Sequence, residues 1–257
     1  MRLAADIHPD HMKKLIRILL LSVVALLAFG ALSACSSGTS TESTETTESP
    51  QASPTTTETS AAPAEATAAP FPQSAKYIAD TKSAEGQPMV IGIAVDGADV
   101  AAYACNGVDD EAWFFGTQND GKIDIKSRFR DTLTAEFNGT DVVGDVVMNG
   151  ITYKFSAPSV PAPAGMYTAE LEGVRASWVV RPDGSATGVQ FNGGVSGRDF
   201  EQAELQQLND QQFRNSVRNK RILQQAQQIE LLANRSARST INGHEVTPIL
   251  VNGNFRL

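Results

Sequence analysis

Between residues 76 and 195 the chain alternates apolar and polar positions in short runs. Lys122–Lys126 is apolar at every second residue, and the run around Trp178 alternates in the same way. A period of two is typical of a strand with one buried face and one hydrated face. Asn-Gly and Asp-Gly pairs, which favour tight hairpin turns, separate these runs. The pattern predicts a mainly β domain, an antiparallel meander of about nine or ten short strands closed as a barrel or a two-sheet sandwich.

Residues 198–238 follow a different pattern, because no Gly or Pro interrupts them and Gln is abundant. Apolar residues return every three to five positions, beginning with Leu205 and Leu208. A thin stripe of this kind is typical of a helix that packs through a narrow seam or contacts a partner. We therefore predict a long C-terminal helix over 198–238, followed by a short hairpin at Asn242-Gly243.

The N-terminal residues have the pattern of a signal peptide. Basic residues precede an apolar stretch over 18–32, which is short for a membrane span and ends in Leu32-Ser33-Ala34-Cys35. This ending resembles the lipobox of bacterial lipoproteins, in which small residues admit a dedicated peptidase and the Cys is lipidated. The resemblance implies cleavage after Ala34 and a lipid anchor on Cys35. Met12 begins a better leader than Met1, because acidic residues and a Pro lie before it.

After Cys35 the chain is dominated by Ser, Thr, Glu, Pro and Ala, with no Lys or Arg up to residue 72. Such a composition cannot supply a core and favours an extended, soluble tether. The leader and tether together predict an extracytoplasmic domain held at the cell membrane. The predicted organisation is a signal peptide (1–34), the lipidated Cys35 with a disordered tether (35–72), a β domain (73–197) and a C-terminal helix and tail (198–257).

Composition narrows the classes of function. The whole chain has two Cys and three His, which argues against a disulfide scaffold or a zinc cluster, and we predict no metal and no cofactor. The formal net charge of −8 makes nucleic acid an unsuitable partner.

Asp109, Asp110 and Glu111 form the densest carboxylate cluster of the β domain, directly after the Asn106-Gly107 turn. A cluster of this kind can serve as an acid–base pair, or it can be a hydrated loop that protects a strand edge. We favour the loop and predict no catalytic residues, with these three carboxylates as the only candidates. Cys105, a lone thiol on a strand, is expected to be buried and unreactive.

Arg214, Arg218 and Arg221 give the clearest indication of a partner. Their spacing places them on one face of the predicted helix. A cationic helix face can dock on anionic lipid or on a cell-wall polymer. The alternative is a face that balances the acidic β domain through an intramolecular contact.

Several short phrases over residues 87–190 carry a resemblance to a group of known proteins. They include Tyr103-Ala104-Cys105-Asn106-Gly107 and Trp178-Val179-Val180-Arg181-Pro182-Asp183-Gly184. Together with the leader and the tether, these phrases resemble exported lipoproteins of actinobacteria. The resemblance implies a place in the cell envelope and no particular activity.

The sequence is compatible with three functions. We favour a membrane-tethered, non-catalytic binding or structural module of the envelope. The first alternative is a β-barrel that carries a small apolar ligand in an open interior. The second is a hydrolase that uses Asp109, Asp110 and Glu111.

Overall fold

Eight consecutive strands form one antiparallel sheet in the computed structural model, which describes residues 68–257. Each strand pairs with the next along the chain, as the alternating pattern and the hairpin turns predict. The strands are β1 (Ser74–Lys82), β2 (Pro88–Asp96), β3 (Asp99–Cys105), β4 (Glu111–Asn119), β5 (Lys122–Lys126), β6 (Thr132–Phe137), β7 (Asp141–Met148) and β8 (Ile151–Pro158).

This sheet curls until its first and last strands nearly meet. Ser159, directly after β8, forms an antiparallel bridge with Tyr77 of β1. The next residue, Val160, donates its N–H to the carbonyl of Lys76 at 2.8 Å. The sheet is therefore nearly closed and barrel-like, and the prediction of a mainly β, antiparallel domain is confirmed.

The interior of the barrel-like sheet is filled by side chains from alternate positions of its own strands. Phe114, Leu133 and Met148 are each at most 1% exposed and belong to one continuous apolar cluster with Tyr77 and Ile91. In β5 the observed burial alternates residue by residue, as the sequence pattern predicts. The filled interior gives no support to the alternative function as a carrier with an open barrel.

The turns between strands use the Asn-Gly and Asp-Gly pairs. Asp120 and Gly121, between β4 and β5, have φ values of 49° and 76°. Both values lie in the left-handed region that a two-residue turn of this type requires. Gly121 is needed for a second reason, because a Cβ there would lie 2.0 Å from the carbonyl oxygen of Ala69.

Residues 68–72, which the sequence analysis assigns to the tether, pack against the barrel-like sheet. Ala69 donates its N–H to the carbonyl of Phe137 at 2.8 Å, and the Phe71 ring stacks on the Phe137 ring at 5.1 Å. The described chain therefore joins the sheet at the end that carries the β4–β5 turn.

A second sheet covers the outer face of β1–β4. After β8 the Pro-containing segment 158–163 leads the chain out of the first sheet. Met166, Val179 and Val189 of the second sheet pack with Val90 and Tyr103 of the first. Its strand order is β12-β11-β10-β9-β16, made of β9 (Gly165–Leu171), β10 (Val174–Val180), β11 (Ala186–Phe191), β12 (Leu223–Gln225) and β16 (Ile249–Leu250).

A small third sheet packs on the opposite face of the second. Trp178 and Tyr167 of the second sheet contact Ala237, Ile241 and Val246 in one apolar cluster. The predicted hairpin at Asn242-Gly243 is present as the β14–β15 connection. The three strands are β13 (Glu230–Leu231), β14 (Ala237–Ile241) and β15 (His244–Val246).

The predicted long helix over 198–238 is wrong. The segment forms two short helices, α1 (Gly197–Leu205) and α2 (Asp210–Ser216), then a 3-10 turn at Arg218–Lys220, and continues as strands. Gln207 adopts a φ of 49°, which ends helical geometry. Asn209 then begins α2 by accepting the N–H of Gln212 at 2.9 Å.

The C-terminal residues also belong to the β architecture and do not form a separate appendage. β12 pairs with β11, and β16 pairs with β9. All described residues lie within one compact unit, Ala61–Leu257. Because a unit with its own apolar core folds independently as a rule, this fragment is suitable for experiments in solution.

The predicted leader, including the alternative start Met12, the cleavage residues Leu32, Ser33 and Ala34 and the lipidation site Cys35, lies outside the described residues. Among residues 68–257, no helix has the length and apolar character needed to cross a membrane.

Candidate functional site

A cleft of about 390 Å³ opens between α1 and the ends of β4 and β5 that lie away from the β4–β5 turn. We call it the aromatic cleft, because five aromatic side chains line it. These are Trp113, Phe115, Phe129, Phe191 and Phe200, and the other charged or polar side chains in its lining are Glu111, Lys126, Arg128, Arg175, Ser196 and Arg221.

Lys126 at the end of β5 and Arg128 in the turn that follows line the aromatic cleft. Ser127 is buried, and its hydroxyl accepts the N–H groups of Phe129 and Asp131 at 3.1 and 3.0 Å. Lys126 and Arg128, on either side of the buried Ser127, are both exposed. The Arg128 guanidinium lies 4.1 Å from the centre of the Phe200 ring.

Helix α1 forms the opposite wall of the aromatic cleft. Its N-cap residue is Ser196, whose N–H and hydroxyl both donate to Asp199 at 2.8 Å. Asp199 also accepts a hydrogen bond from Lys220 at 2.7 Å, which ties the helix to the 3-10 turn. Phe200, one turn into α1, packs between Phe129 and Phe213.

Trp113 of β4 provides the broad apolar wall. Its ring stacks on Phe115 at 5.5 Å with an interplanar angle of 13°. Phe255 packs against both rings. The indole N–H donates to the Ser177 hydroxyl at 3.3 Å, so the only polar atom of the ring is satisfied away from the cleft.

A buried network of ion pairs lies beside the aromatic cleft. Arg218 bridges two carboxylates, donating to Asp131 at 2.9 Å and to Asp110 at 2.8 Å. Arg221 also donates to Asp110, at 3.0 Å. The side chains of Arg218 and Arg221 are only 2% and 3% exposed. The 3-10 turn is thereby fixed to the end of the barrel-like sheet.

Burial shifts the pKa values of this network in directions that follow from desolvation. The pKa of Asp131 is raised because burial disfavours its charged form, and Arg218 partly opposes this shift. Burial, together with the neighbouring Arg218, lowers the pKa of Arg221. An arginine nevertheless stays protonated in proteins, so both guanidinium groups are charged.

Glu111 connects the network to the second sheet. One carboxylate oxygen accepts from Arg175 at 2.7 Å, and the other accepts the Tyr103 hydroxyl at 2.9 Å. Burial is the main reason that the pKa of Tyr103 is raised well above its ordinary value, so the phenol remains a donor. The Arg175 guanidinium lies over the Phe191 ring at 5.2 Å, inside the aromatic cleft.

The three carboxylates of the predicted cluster have different surroundings in the structure. Asp109 is exposed and accepts from the Asn106 side chain at 2.9 Å. Asp110 and Glu111 are held by Arg218, Arg221 and Arg175, so the expectation of a hydrated loop is wrong for these two residues.

The predicted exposed face of three arginines does not form. Arg218 and Arg221 are buried against Asp110, which corresponds to the intramolecular alternative considered from the sequence. Arg214 is on α2, and its guanidinium lies beside Gly150 in the β7–β8 turn. The physical reason is that the broken helix turns Arg218 and Arg221 toward a carboxylate that the sequence places over 100 residues earlier.

Two further residues lie outside the lining of the aromatic cleft, and one of them, Cys105, is buried as the sequence predicts. Cys105 is fully buried, and desolvation raises its pKa to about 12. His244 is exposed in the β14–β15 hairpin. No group of three or more His, Cys, Asp or Glu side chains within residues 68–257 is arranged to hold a metal ion.

The aromatic cleft could not be predicted from the sequence, because its walls come from distant segments. Phe129 follows β5, Phe200 is in α1 and Trp113 is in β4. The sequence offers one local signal: the two cations Lys126 and Arg128 stand just before an aromatic residue, Phe129. Comparison with known proteins finds no matching family model, curated protein or solved structure.

Proposed function

We propose that this protein is a non-catalytic binding module of the cell envelope, tethered to the membrane through Cys35, and that the aromatic cleft is its binding site. The observation that carries the proposal is the cleft itself, an apolar concavity of small-molecule size with a few charged groups at its rim. Sites for small ligands in proteins have this character and a volume of about 300–1,000 Å³.

The cleft is well suited to stay open. Its walls are anchored from behind by the ion pairs of Arg218 and Arg221 and by the Ser196–Asp199 cap of α1. Such support fixes the side chains that face a ligand and lowers the entropy lost on binding. Binding without large rearrangement is therefore the expected behaviour.

A binding role agrees better with the geometry than catalysis does. Asp110 and Glu111, the candidates for acid–base work, are engaged by arginines. Both carboxylates therefore connect the start of β4 with β10 and with the 3-10 turn.

The tethering part of the proposal rests on the sequence from Leu32 to Cys35. It is compatible with the position of the cleft on the sheet. Residues 69–71 pack at the β4–β5 turn, whereas the cleft lies at Glu111, eight residues away along β4. At about 3.3 Å per residue this distance is about 25 Å, so the described start of the chain leaves the cleft uncovered.

The test is to fill the cleft. A Cβ added to Gly197, which lines the cleft, meets no atom within 4 Å, and its φ is not positive. Gly197→Trp therefore adds an indole at the edge of the cleft without a clash at its Cβ. The control is Gln202→Trp, which adds the same side chain to an exposed position of α1 outside the cleft.

The probe is 8-anilino-1-naphthalenesulfonate, whose fluorescence rises in apolar surroundings, titrated into the folded Ala61–Leu257 fragment. We expect saturable binding to the unmodified fragment and to Gln202→Trp, and binding at least tenfold weaker to Gly197→Trp. Absence of saturable binding, or equal binding to the two variants, would refute the cleft as the binding site.

A further inference from the structure

We propose that the aromatic cleft selects an anionic ligand that carries a flat ring system, with Lys126 and Arg128 contacting the anion. This inference rests on the proposed function and names the class of ligand. Two independent features of the lining support it: an excess of positive charge and aromatic walls.

The first feature is the charge of the lining. Two of its four cations are neutralised, because Arg175 pairs with Glu111 and Arg221 pairs with Asp110. Within residues 68–257, Lys126 and Arg128 have no carboxylate in ion-pairing distance. The cleft therefore presents two uncompensated positive charges beside apolar walls, where a negative group gains more than it does in bulk water.

The second feature is the arrangement of aromatic rings and a guanidinium group. Trp113 and Phe115 form a stacked pair, and the Arg128 guanidinium lies over the Phe200 ring, 4.1 Å from its centre. A guanidinium stacked in this way keeps its N–H edge free to donate in the plane. A flat apolar ring between these walls would bury both of its faces, and its acidic group would meet Lys126 and Arg128.

The N-terminus of α1 adds to the positive electrostatic potential of the cleft. Ser196 and Gly197, where the helix begins, line the cleft. The N-terminal end of a helix carries partial positive charge, although Asp199 offsets part of it here.

The experiment uses a matched pair of dyes and the folded Ala61–Leu257 fragment. 8-Anilino-1-naphthalenesulfonate carries a sulfonate, and N-phenyl-1-naphthylamine has the same ring system without it. We expect the sulfonate dye to bind about tenfold more tightly at low salt, which corresponds to 1.4 kcal/mol. This preference should shrink as salt screens the charges.

The double variant Lys126→Gln/Arg128→Gln removes the two uncompensated charges. Both residues are exposed and form no ion pair within residues 68–257, so the fold should persist although the Arg128–Phe200 contact is lost. The preference for the sulfonate dye should fall toward one. The matched control is Lys82→Gln/Lys122→Gln, which removes two exposed and unpaired lysines outside the cleft and should keep the preference.

The outcomes separate this inference from the proposed function. If both dyes bind equally, lose binding in Gly197→Trp and ignore the Lys126/Arg128 variant, the cleft is a binding site without anion selectivity and the inference is overturned. If neither dye binds, or if Gly197→Trp binds as the unmodified fragment does, both the proposed function and the inference fail.

Discussion

Replacing Arg218 tests whether the segment after α2 is fixed to the barrel-like sheet by buried charge. Arg218 is 2% exposed, and it is the only cation paired with Asp131, itself 3% exposed, within residues 68–257. Asp110 keeps a second partner in Arg221. Arg218→Met therefore leaves one buried carboxylate, Asp131, without compensation.

Breaking a buried pair by removing one partner costs about 3–5 kcal/mol. We expect a loss of this size in the free energy of unfolding, measured for the Ala61–Leu257 fragment by urea denaturation at pH 7. Asp131→Asn, added to the same chain, removes the orphaned charge while keeping acceptor and donor atoms. The loss of unfolding free energy in the double variant should therefore be smaller than the sum of the two single losses, by about 1–3 kcal/mol.

The pH dependence gives an independent check with a defined sign. The pKa of Asp131 is raised in the folded state above its ordinary value of 3.8. An acid with a raised pKa binds its proton more tightly when folded, so its contribution to stability is present below pH 3.8 and is lost as pH rises through the folded pKa. Arg218→Met raises this pKa further, and the deficit of the variant should therefore be smaller at pH 4 than at pH 7.

A loss below about 1 kcal/mol at pH 7 would refute this reasoning, because that value is typical of exposed ion pairs. It would mean that Arg218 faces solvent, as the predicted cationic helix face required. A deficit that is equal at pH 4 and pH 7 would show that the loss comes from packing and not from the stranded charge.

Three further predictions concern single residues. Trp178→Ala should lower the free energy of unfolding by about 3–5 kcal/mol, measured by denaturation, because the indole is 1% exposed between two sheets and donates to Gln227 at 2.8 Å; an unchanged stability would contradict its place in the core. Cys35→Ala in the full chain should abolish incorporation of radiolabelled palmitate in cells, and continued labelling would overturn the lipobox interpretation. Cys105, whose pKa is raised to about 12 by burial, should react with a thiol reagent at pH 8 only after unfolding; rapid reaction in the native fragment would refute its burial.

The strands and their faces were predictable because the signal is local. In Lys122–Lys126 the alternation read from the sequence is the burial pattern observed in β5. Turn pairs such as Asp120-Gly121 also act locally, through the backbone conformations that only a few residues adopt readily. Local rules of this kind determine the strands and turns, but they leave the assembly of three sheets open.

The prediction of a long helix was wrong because it rested on a thin apolar stripe and on the absence of Gly and Pro. Neither observation locates the helix end at Gln207, which adopts a left-handed conformation, or the start of a new helix at Asn209. The irregular gaps in the apolar stripe were a warning, since a continuous helix face repeats every three to four residues. Pairing of β12 with β11 then competes with helix formation in the same segment.

The candidate site could not be predicted from local sequence patterns, for a different reason. Arg218 and Asp110 are 108 residues apart, and only the packing of the 3-10 turn against the loop between β3 and β4 brings them to 2.8 Å. The spacing of the arginines predicts an exposed cationic face, whereas Arg218 and Arg221 are buried against Asp110. The walls of the aromatic cleft meet in the same way, through tertiary packing of segments that carry no shared motif.

The most direct test of the central claim examines the full chain in the cells that produce it. A benzophenone amino acid at Leu257, which lines the aromatic cleft and is 58% exposed, can capture the native occupant under ultraviolet light. The same residue at Leu205, 85% exposed on α1 and outside the cleft, is the matched control. We predict a light-dependent adduct of one reproducible small mass at position 257 only, measured by intact-protein mass spectrometry. An absence of adduct at 257, or the same adduct at both positions, would contradict the claim that the aromatic cleft is the binding site.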